Sequence, residues 1–147
     1  MTNTSLSLLN HSYFAGLFDG EGWFRIVRAK KYKVRYSYQA YAHLCMREEK
    51  LVKALAKIYG GTITTKKPRN IKHSIAYQWN VTGFALDKFI KLVGPLLVAK
   101  QKQVKVINRA RELSISNGNK HMTEASYKEY SRLHSKITKL NKKGIGK

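Results

Sequence analysis

The sequence predicts an α+β fold: an αββαββα core whose four strands form one antiparallel sheet with the helices on one face, followed by two C-terminal helices. Three observations carry this. Stretches that alternate apolar and polar residues come in two pairs, each pair joined by a short basic turn. Stretches with helical apolar spacing lie before, between and after those pairs. The chain has 147 residues, 43% of them hydrophobic, which is enough for one domain with its own core. That domain is expected over 1–141, with 142–147 as a basic, mobile tail.

The first helix is expected over Ser5 to Phe18, where Leu6, Leu9, Tyr13 and Leu17 give the apolar spacing. Gly16 and Gly20 are four apart, so they share a face and let another backbone come close. Gly20 and Gly22 are expected to break the helix into a tight turn. Glu21 sits between them at the helix end, where the dipole disfavours a carboxylate. A charge placed against its local preference suggests a task, such as holding a cation.

Trp23 to Tyr32 reads as a strand, with Phe24 and Ile26 opposite Trp23, Arg25 and Val27. Lys30 to Lys33 is a basic turn. Arg35 to Leu44 is the second strand. Val34, Tyr36, Tyr38, Ala40, Ala42 and Leu44 take one face, and Arg35, Ser37, Gln39, Tyr41 and His43 the other. This second row can donate and accept hydrogen bonds at regular intervals, as a reader of base edges needs. The plain alternative is a solvated sheet face. Arg47 to Tyr59 is a helix with Leu51, Leu55 and Ile58 as its buried stripe, ended by Gly60 and Gly61. Thr62 to Lys67 and His73 to Val81 are the third and fourth strands, and the basic turn between them would sit over phosphates. Thr82 is the expected cap of a helix from Gly83 to Val93, with Phe84, Leu86, Phe89, Ile90 and Val93 inward. After Gly94-Pro95, a helix runs from Leu96 to Ile115 with Leu97, Val104, Ile107 and Leu113 buried. Thr123 caps the last helix, whose stripe is Tyr127, Tyr130, Leu133, Ile137 and Leu140.

Lys plus Arg number 29 against 8 Asp plus Glu, a net charge of +21. Such self-repulsion points to a polyanionic partner, a nucleic acid. The single cysteine, Cys45, excludes a disulfide framework within the chain and any multi-cysteine zinc site. Charges interrupt every apolar run, so no membrane span and no membrane partner are expected. No Lys or Arg precedes Arg25, so the basic region of a signal peptide is missing. The expected setting is intracellular, in cytoplasm, nucleoid or organelle, and not secreted. His11, His73, His121 and His134 are not spaced as metal ligands, and Cys45 reads as a small buried residue. Trp23 and Trp79 can stack on bases, although packing is the better reading for Trp79.

Phe14-Ala15-Gly16-Leu17-Phe18-Asp19-Gly20-Glu21-Gly22 resembles, position by position, the signature of the LAGLIDADG homing endonucleases. Phe stands for the first Leu, Phe for Ile, Gly for the second Ala and Glu for the last Asp. The αββαββα order is also that family's core. The resemblance implies a saddle-shaped sheet and a motif helix that packs against a second copy of itself. With one motif in the chain, it implies a homodimer of the single-motif type. Ala15, Gly16, Asp19 and Gly20 are then the dimer contacts, with Asp19 structural either in the turn or at the helix pair, because the family uses its final acid for metal. Glu21, with the Gly20 carbonyl, is the implied ligand of Mg²⁺ (or Mn²⁺).

Val98-Ala99-Lys100-Gln101-Lys102-Gln103 resembles the segment that supplies a lysine near the attacking water in the homodimeric members. Lys100 is the candidate catalytic partner of Glu21, with Lys102 and Gln101 close by. The family's polar residue after the second strand, usually Gln, is replaced by Met46. Arg47, Lys50 or His43 could take over its work of positioning water. The implied activity is divalent-metal-dependent hydrolysis of both strands of a long, near-palindromic double-stranded DNA target, with no small-molecule substrate, in the service of intron or intein mobility. The DNA-facing candidates are Trp23, Arg25, Lys31, Lys33, Arg35, Ser37, Gln39, Tyr41, His43, Thr62, Thr64, Lys66, Arg69, Ser74, Gln78, Asn80 and Lys102. A rival reading on the same scaffold is an RNA-binding splicing helper, or maturase. A basic structural nucleic-acid binder, such as a ribosomal protein, leaves the acidic glycine corner unexplained.

Overall fold

In the computed structural model, which describes residues 10–31, 35–67, 75–117 and 123–145, the first element among the described residues is helix α1, His11–Glu21. Asn10 starts it: its side-chain oxygen accepts the Tyr13 N–H at 3.0 Å. Phe14, Ala15 and Phe18 point into the core. The expected boundaries, Ser5 to Phe18, shift toward the C-terminus: residues before Asn10 lie outside the described residues, and Gly20 continues the helix. Glu21 is its last residue, and Gly22 ends it in an extended conformation with its N–H donating to the Phe18 carbonyl. Position 22 needs glycine for contact, not for backbone freedom. A Cβ there would stand 2.2 Å from the Phe18 ring. That ring cannot retreat, because Phe24 and Phe89 pack on it with centroids at 4.8 and 5.1 Å.

Strands β1 (Gly22–Lys31), β2 (Arg35–Met46), β3 (Thr62–Lys66) and β4 (Ala76–Val81) form one antiparallel sheet in the order β1-β2-β4-β3. The registers put Phe24, Ala42 and Val81 in one row, and Leu44 and Trp79 in the next. All five are fully buried, as the alternation predicted. Trp79 is a core residue whose indole N–H donates to the Gly60 carbonyl at 2.8 Å. Among the described residues the β3–β4 pairing ends at Lys66 and Ala76, one residue short of the expected Lys67, and the expected strand start at His73 lies outside the described residues.

Helix α2, Glu49–Tyr59, buries Val52, Leu55 and Tyr59. The expected stripe of Leu51, Leu55 and Ile58 is therefore rotated, with Leu51 and Ile58 at its half-buried margin. Tyr59 fixes the rotation. Its ring meets Phe14 and Phe89 edge-on, and its hydroxyl pairs with His11 Nδ1 at 2.6 Å. Burial pushes this phenol up to about 12. Gly60 and Gly61 follow at φ of 91° and 99°, a region that L side chains avoid.

Helix α3, Gly83–Val93, turns Leu86, Phe89, Ile90 and Val93 inward. Two expectations fail here. Phe84 is 80% exposed, because it lies two residues before Leu86, about 200° around the helix. Thr82 makes no side-chain cap bond. Its hydroxyl donates instead to the Ala40 carbonyl at 2.7 Å and accepts from the Gln39 amide, tying the helix start to β2.

A 3₁₀ turn, Gly94–Leu96, separates α3 from α4, Gln101–Asn117. The helix expected from Leu96 thus begins five residues later. The Gln101 side-chain amide holds the connection, donating to the Gly94 and Leu97 carbonyls at 2.9 and 2.6 Å. Helix α5, Glu124–Ile145, packs on α4 and β1. Thr123 caps it: its hydroxyl accepts the Ser126 N–H at 3.2 Å. Tyr130 stacks on Tyr38 of β2 with centroids at 5.1 Å. The Asn141 amide donates to the Phe24 carbonyl on the outer edge of β1 at 2.8 Å, which covers that edge. Because α5 reaches Ile145, residues 142–145 are helical and not the expected tail.

The Phe18–Gly22 contact gives a direct test. Gly22→Ala should destabilise the fold by about 1–3 kcal/mol, the usual cost of overpacking a filled core. Denaturant unfolding at constant m-value measures it, and an unchanged midpoint would contradict the packing described.

Candidate nucleic-acid interface and the cleft at the motif helix

The sheet face away from the helices carries the polar residues. Register sets them in rows across the strands: Trp23, His43, Asn80 and Thr62 in one, Gln78 and Thr64 in the next, and Arg25 beside Tyr41. Arg25, Ser37, Gln39, Thr62, Thr64 and Lys66 are exposed. Lys31 and Arg35 pair at the far end of the β1–β2 ladder. The expected contacts Lys33, Arg69 and Ser74 lie outside the described residues. The pattern is a basic, hydrogen-bonding surface supported on a rigid sheet, suited to groove edges and phosphates.

His43 departs from the rest of its row. It is 3% exposed, stacked between Trp23 and Tyr41 with centroids at 5.2 and 5.3 Å. Its Nδ1 lies 2.8 Å from Asn80 Oδ1. That oxygen also accepts the Gln78 amide at 2.6 Å, while the Asn80 amide donates to the Thr64 hydroxyl at 3.2 Å. The network makes His43 Nδ1 the protonated nitrogen. Nε2 is buried without a hydrogen-bond partner among the described residues. Burial holds this imidazole below its ordinary value; the Asn80 bond opposes that, and Arg25 and Lys66 add to it. His43 is thus a neutral floor that orients Asn80 and Gln78, not the solvent-facing reader expected from the alternation.

At the other end of α1, Glu21 is exposed at the helix terminus. Asp19, two residues earlier and so on the other side of the helix, has a different environment. Its two carboxylate oxygens accept the backbone N–H groups of Val98 and Ala99 at 2.7 and 3.1 Å. Hydrogen bonds to a charged group are worth about 1.5–3 kcal/mol each. They clasp the turn before α4 against α1. Beside them lies a cleft of about 420 Å³ lined by Asp19, Gly20, Gly22, Trp23, Lys100, Gln103 and Asn141.

The structure places Lys100 in one cleft with Asp19 and Gly20 at the end of the motif helix, while Glu21 does not line that cleft. Met46, Arg47, Lys50 and Lys102 do not line this cleft. Met46 packs against the core opposite Tyr77, while Arg47, Lys50 and Lys102 are exposed elsewhere. Ala15, expected at a dimer contact, is 2% exposed within its own chain and belongs to the core. The open side of α1 consists of Ser12, Tyr13, Gly16, Gly20 and Glu21. A Cβ built on Gly16 or Gly20 meets nothing within 4 Å. Leu96 and Val98, exposed at 44% and 86%, add apolar surface next to the Asp19 clasp. They were missed because they were assigned to a helix. Gln103 and Asn141 were missed because no local pattern places them beside residue 20.

Residues 14–107 match the family model described as LAGLIDADG endonuclease. No curated protein sequence matches the chain. Among solved structures, the homing endonuclease I-TnaI is similar at a TM-score of 0.70 and 18% identity, covering 92% of this chain and 98% of that one. I-CvuI, crystallised with its target in the presence of calcium, is similar at 0.70 and 17%, covering 88% and 80%. The meganuclease I-AabMI, bound to uncleaved DNA, is similar at 0.70 and 23%, covering 88% of this chain but 44% of its own.

The buried His43 sets a pH dependence. The unfolded chain takes up this proton near pH 6.5, whereas the folded chain resists it. Stability is therefore complete above 6.5 and falls as pH drops below it. Denaturant unfolding at pH 7.5 and 5.5 should show a loss in the intact protein and a smaller loss in His43→Gln. Equal losses would contradict the buried neutral imidazole.

Proposed function

Because the chain belongs to the LAGLIDADG endonuclease family, we propose that it is a site-specific homing endonuclease that works as a homodimer. It cuts both strands of a long, near-palindromic DNA duplex by divalent-metal-dependent hydrolysis. One observation carries the reading: α1 buries Phe14, Ala15 and Phe18 in its own chain and leaves Gly16 and Gly20 open, ending on an exposed glutamate. A second copy of the same face would close the contact around a two-fold axis. It would also bring one Glu21 from each chain together. The likeness to I-TnaI over nearly its whole chain, and to less than half of I-AabMI, agrees with a single unit that pairs.

Among the described residues no three His, Cys, Asp or Glu side chains cluster as a metal site. What one chain offers is a carboxylate, Glu21, and the neighbouring Gly20 carbonyl in the last helical turn, where no intrahelical donor follows. These hard oxygen donors fit Mg²⁺ or Mn²⁺, which take few protein ligands and complete their shell with water and phosphate. When bound, such a cation would supply Lewis-acid activation of water and neutralise charge on the phosphate. The Lys100 ammonium, in the cleft beside Gly20, stabilises negative charge that develops on the phosphate oxygens. The basic sheet face holds the duplex in register. The protein would act inside the cell, wherever its DNA target lies.

Incubation with Mg²⁺ and a plasmid library, followed by sequencing of cut ends, tests the activity. Glu21→Gln should abolish cutting while duplex binding persists. Binding of structured RNA with no cutting of any duplex would favour the splicing reading instead. Duplex affinity should fall by on the order of 10³–10⁵-fold between 50 and 200 mM salt, and a flat response would contradict the assigned face. Gly20→Leu should leave the chain folded, since a helix-interior glycine costs roughly 1 kcal/mol relative to good helix formers. It should nevertheless elute as a monomer on a sizing column, and an unchanged dimer peak would contradict the pairing face.

A further inference from the structure

We propose that Asp19 is a positioning residue of the cleavage reaction: it fixes Lys100 beside the helix end that carries Glu21. The proposal rests on the nuclease reading above. The two acids of the motif have different surroundings. Glu21 is exposed, while both Asp19 oxygens are engaged, one by each of two successive N–H groups 79 and 80 residues away in the chain.

Lys100 follows directly on the second of these residues. Its own carbonyl accepts the Val104 N–H at 3.0 Å, the first bond of α4. The backbone carrying the lysine is therefore gripped on one side by Asp19 and on the other by the helix. Gln101, bonded to the Gly94 and Leu97 carbonyls, closes the turn from behind. Asp19, Gly20 and Lys100 all line one cleft. Without the clasp, the turn would keep the Gln101 bonds and the buried Leu97 but lose its hydrogen bonds to α1. The face offered for pairing, the metal-holding end and the lysine would then no longer form one rigid unit.

A residue that acts through Lys100 differs from a simple stabiliser in how the two losses combine. Four proteins decide it: the intact chain, Asp19→Asn, Lys100→Ala and the double variant, assayed on the cut site recovered from the plasmid library. Asp19→Asn keeps the size and one acceptor, so the fold should survive, as a thermal melt checks. The expected single-turnover cleavage rate at saturating protein falls by up to about 10²-fold, the scale for a misplaced catalytic group. Duplex affinity and dimer mass should be unchanged. Amide hydrogen exchange should speed up at Val98 and Ala99 and not across the core. In the double variant, the asparagine should add no loss beyond that of Lys100→Ala. Losses that multiply, or a fall in binding that matches the fall in rate, would overturn the positioning role alone. Failure of the intact protein to cut any duplex with Mg²⁺ would overturn the nuclease reading, and this role with it.

Discussion

Helix α1 has to satisfy two surroundings at once. One side must be bulky and apolar, because Phe14 packs on Tyr59 of α2 and Phe18 on Phe24 of β1 and Phe89 of α3; both are almost completely buried. The other side must be nearly bare, with glycines at 16 and 20 and open space above each. A soluble helix gains stability from burying an apolar stripe and loses it at interior glycines. The glycine side therefore weakens the isolated chain, and pairing with another backbone gives it a physical reason. Glu21 extends the same logic. Near a helix C-terminus its charge opposes the dipole, and a bound cation would relieve that opposition.

The rest of the molecule is arranged around this helix. Phe18 is packed so closely on residue 22 that β1 must start with glycine, which sets the first rung of the sheet opposite Leu44. The sheet then presents its polar rows on the far side from the helices. Within them, the buried His43 is hydrogen-bonded to the half-buried Asn80. At the other side of the helix end, Asp19 ties down the turn that leads into α4, and Asn141 of α5 reaches the edge of β1. A pairing face, a sheet face and a lysine from separate parts of the chain are thus held to one short segment.

Much of this was legible in the sequence, and the gaps have physical causes. Strand faces were read correctly because the period is two and Phe24, Ala42, Leu44, Trp79 and Val81 leave no choice of side. Helix faces are less determined: α2 has apolar residues at 51, 52, 55, 58 and 59, and the tertiary contacts of Tyr59 with Phe14, Phe89 and His11 select the stripe. Phe84 was misplaced because hydrophobicity alone does not count angle. Thr82 looked like a cap because Thr suits that position, yet the Ala40 carbonyl competes for its hydroxyl. Ala15 read as a contact by motif position, while its burial depends on which way the whole helix is turned. The Asp19 clasp was invisible because its partners are backbone N–H groups, which have no sequence identity. Gln103 and Asn141 have the same problem, since only the tertiary fold places them in the cleft.

The account stands or falls on whether two chains bring their residues 21 together. Nitroxide labels attached at that position, as Glu21→Cys in a Cys45→Ser background, measure this directly in the presence of duplex. Close-packed helices have axes roughly 8–10 Å apart, so the continuous-wave spectrum should be strongly broadened by dipolar coupling and should sharpen when labelled chains are diluted with unlabelled ones. A sharp spectrum that dilution leaves unchanged would place the two glutamates apart and contradict the shared site.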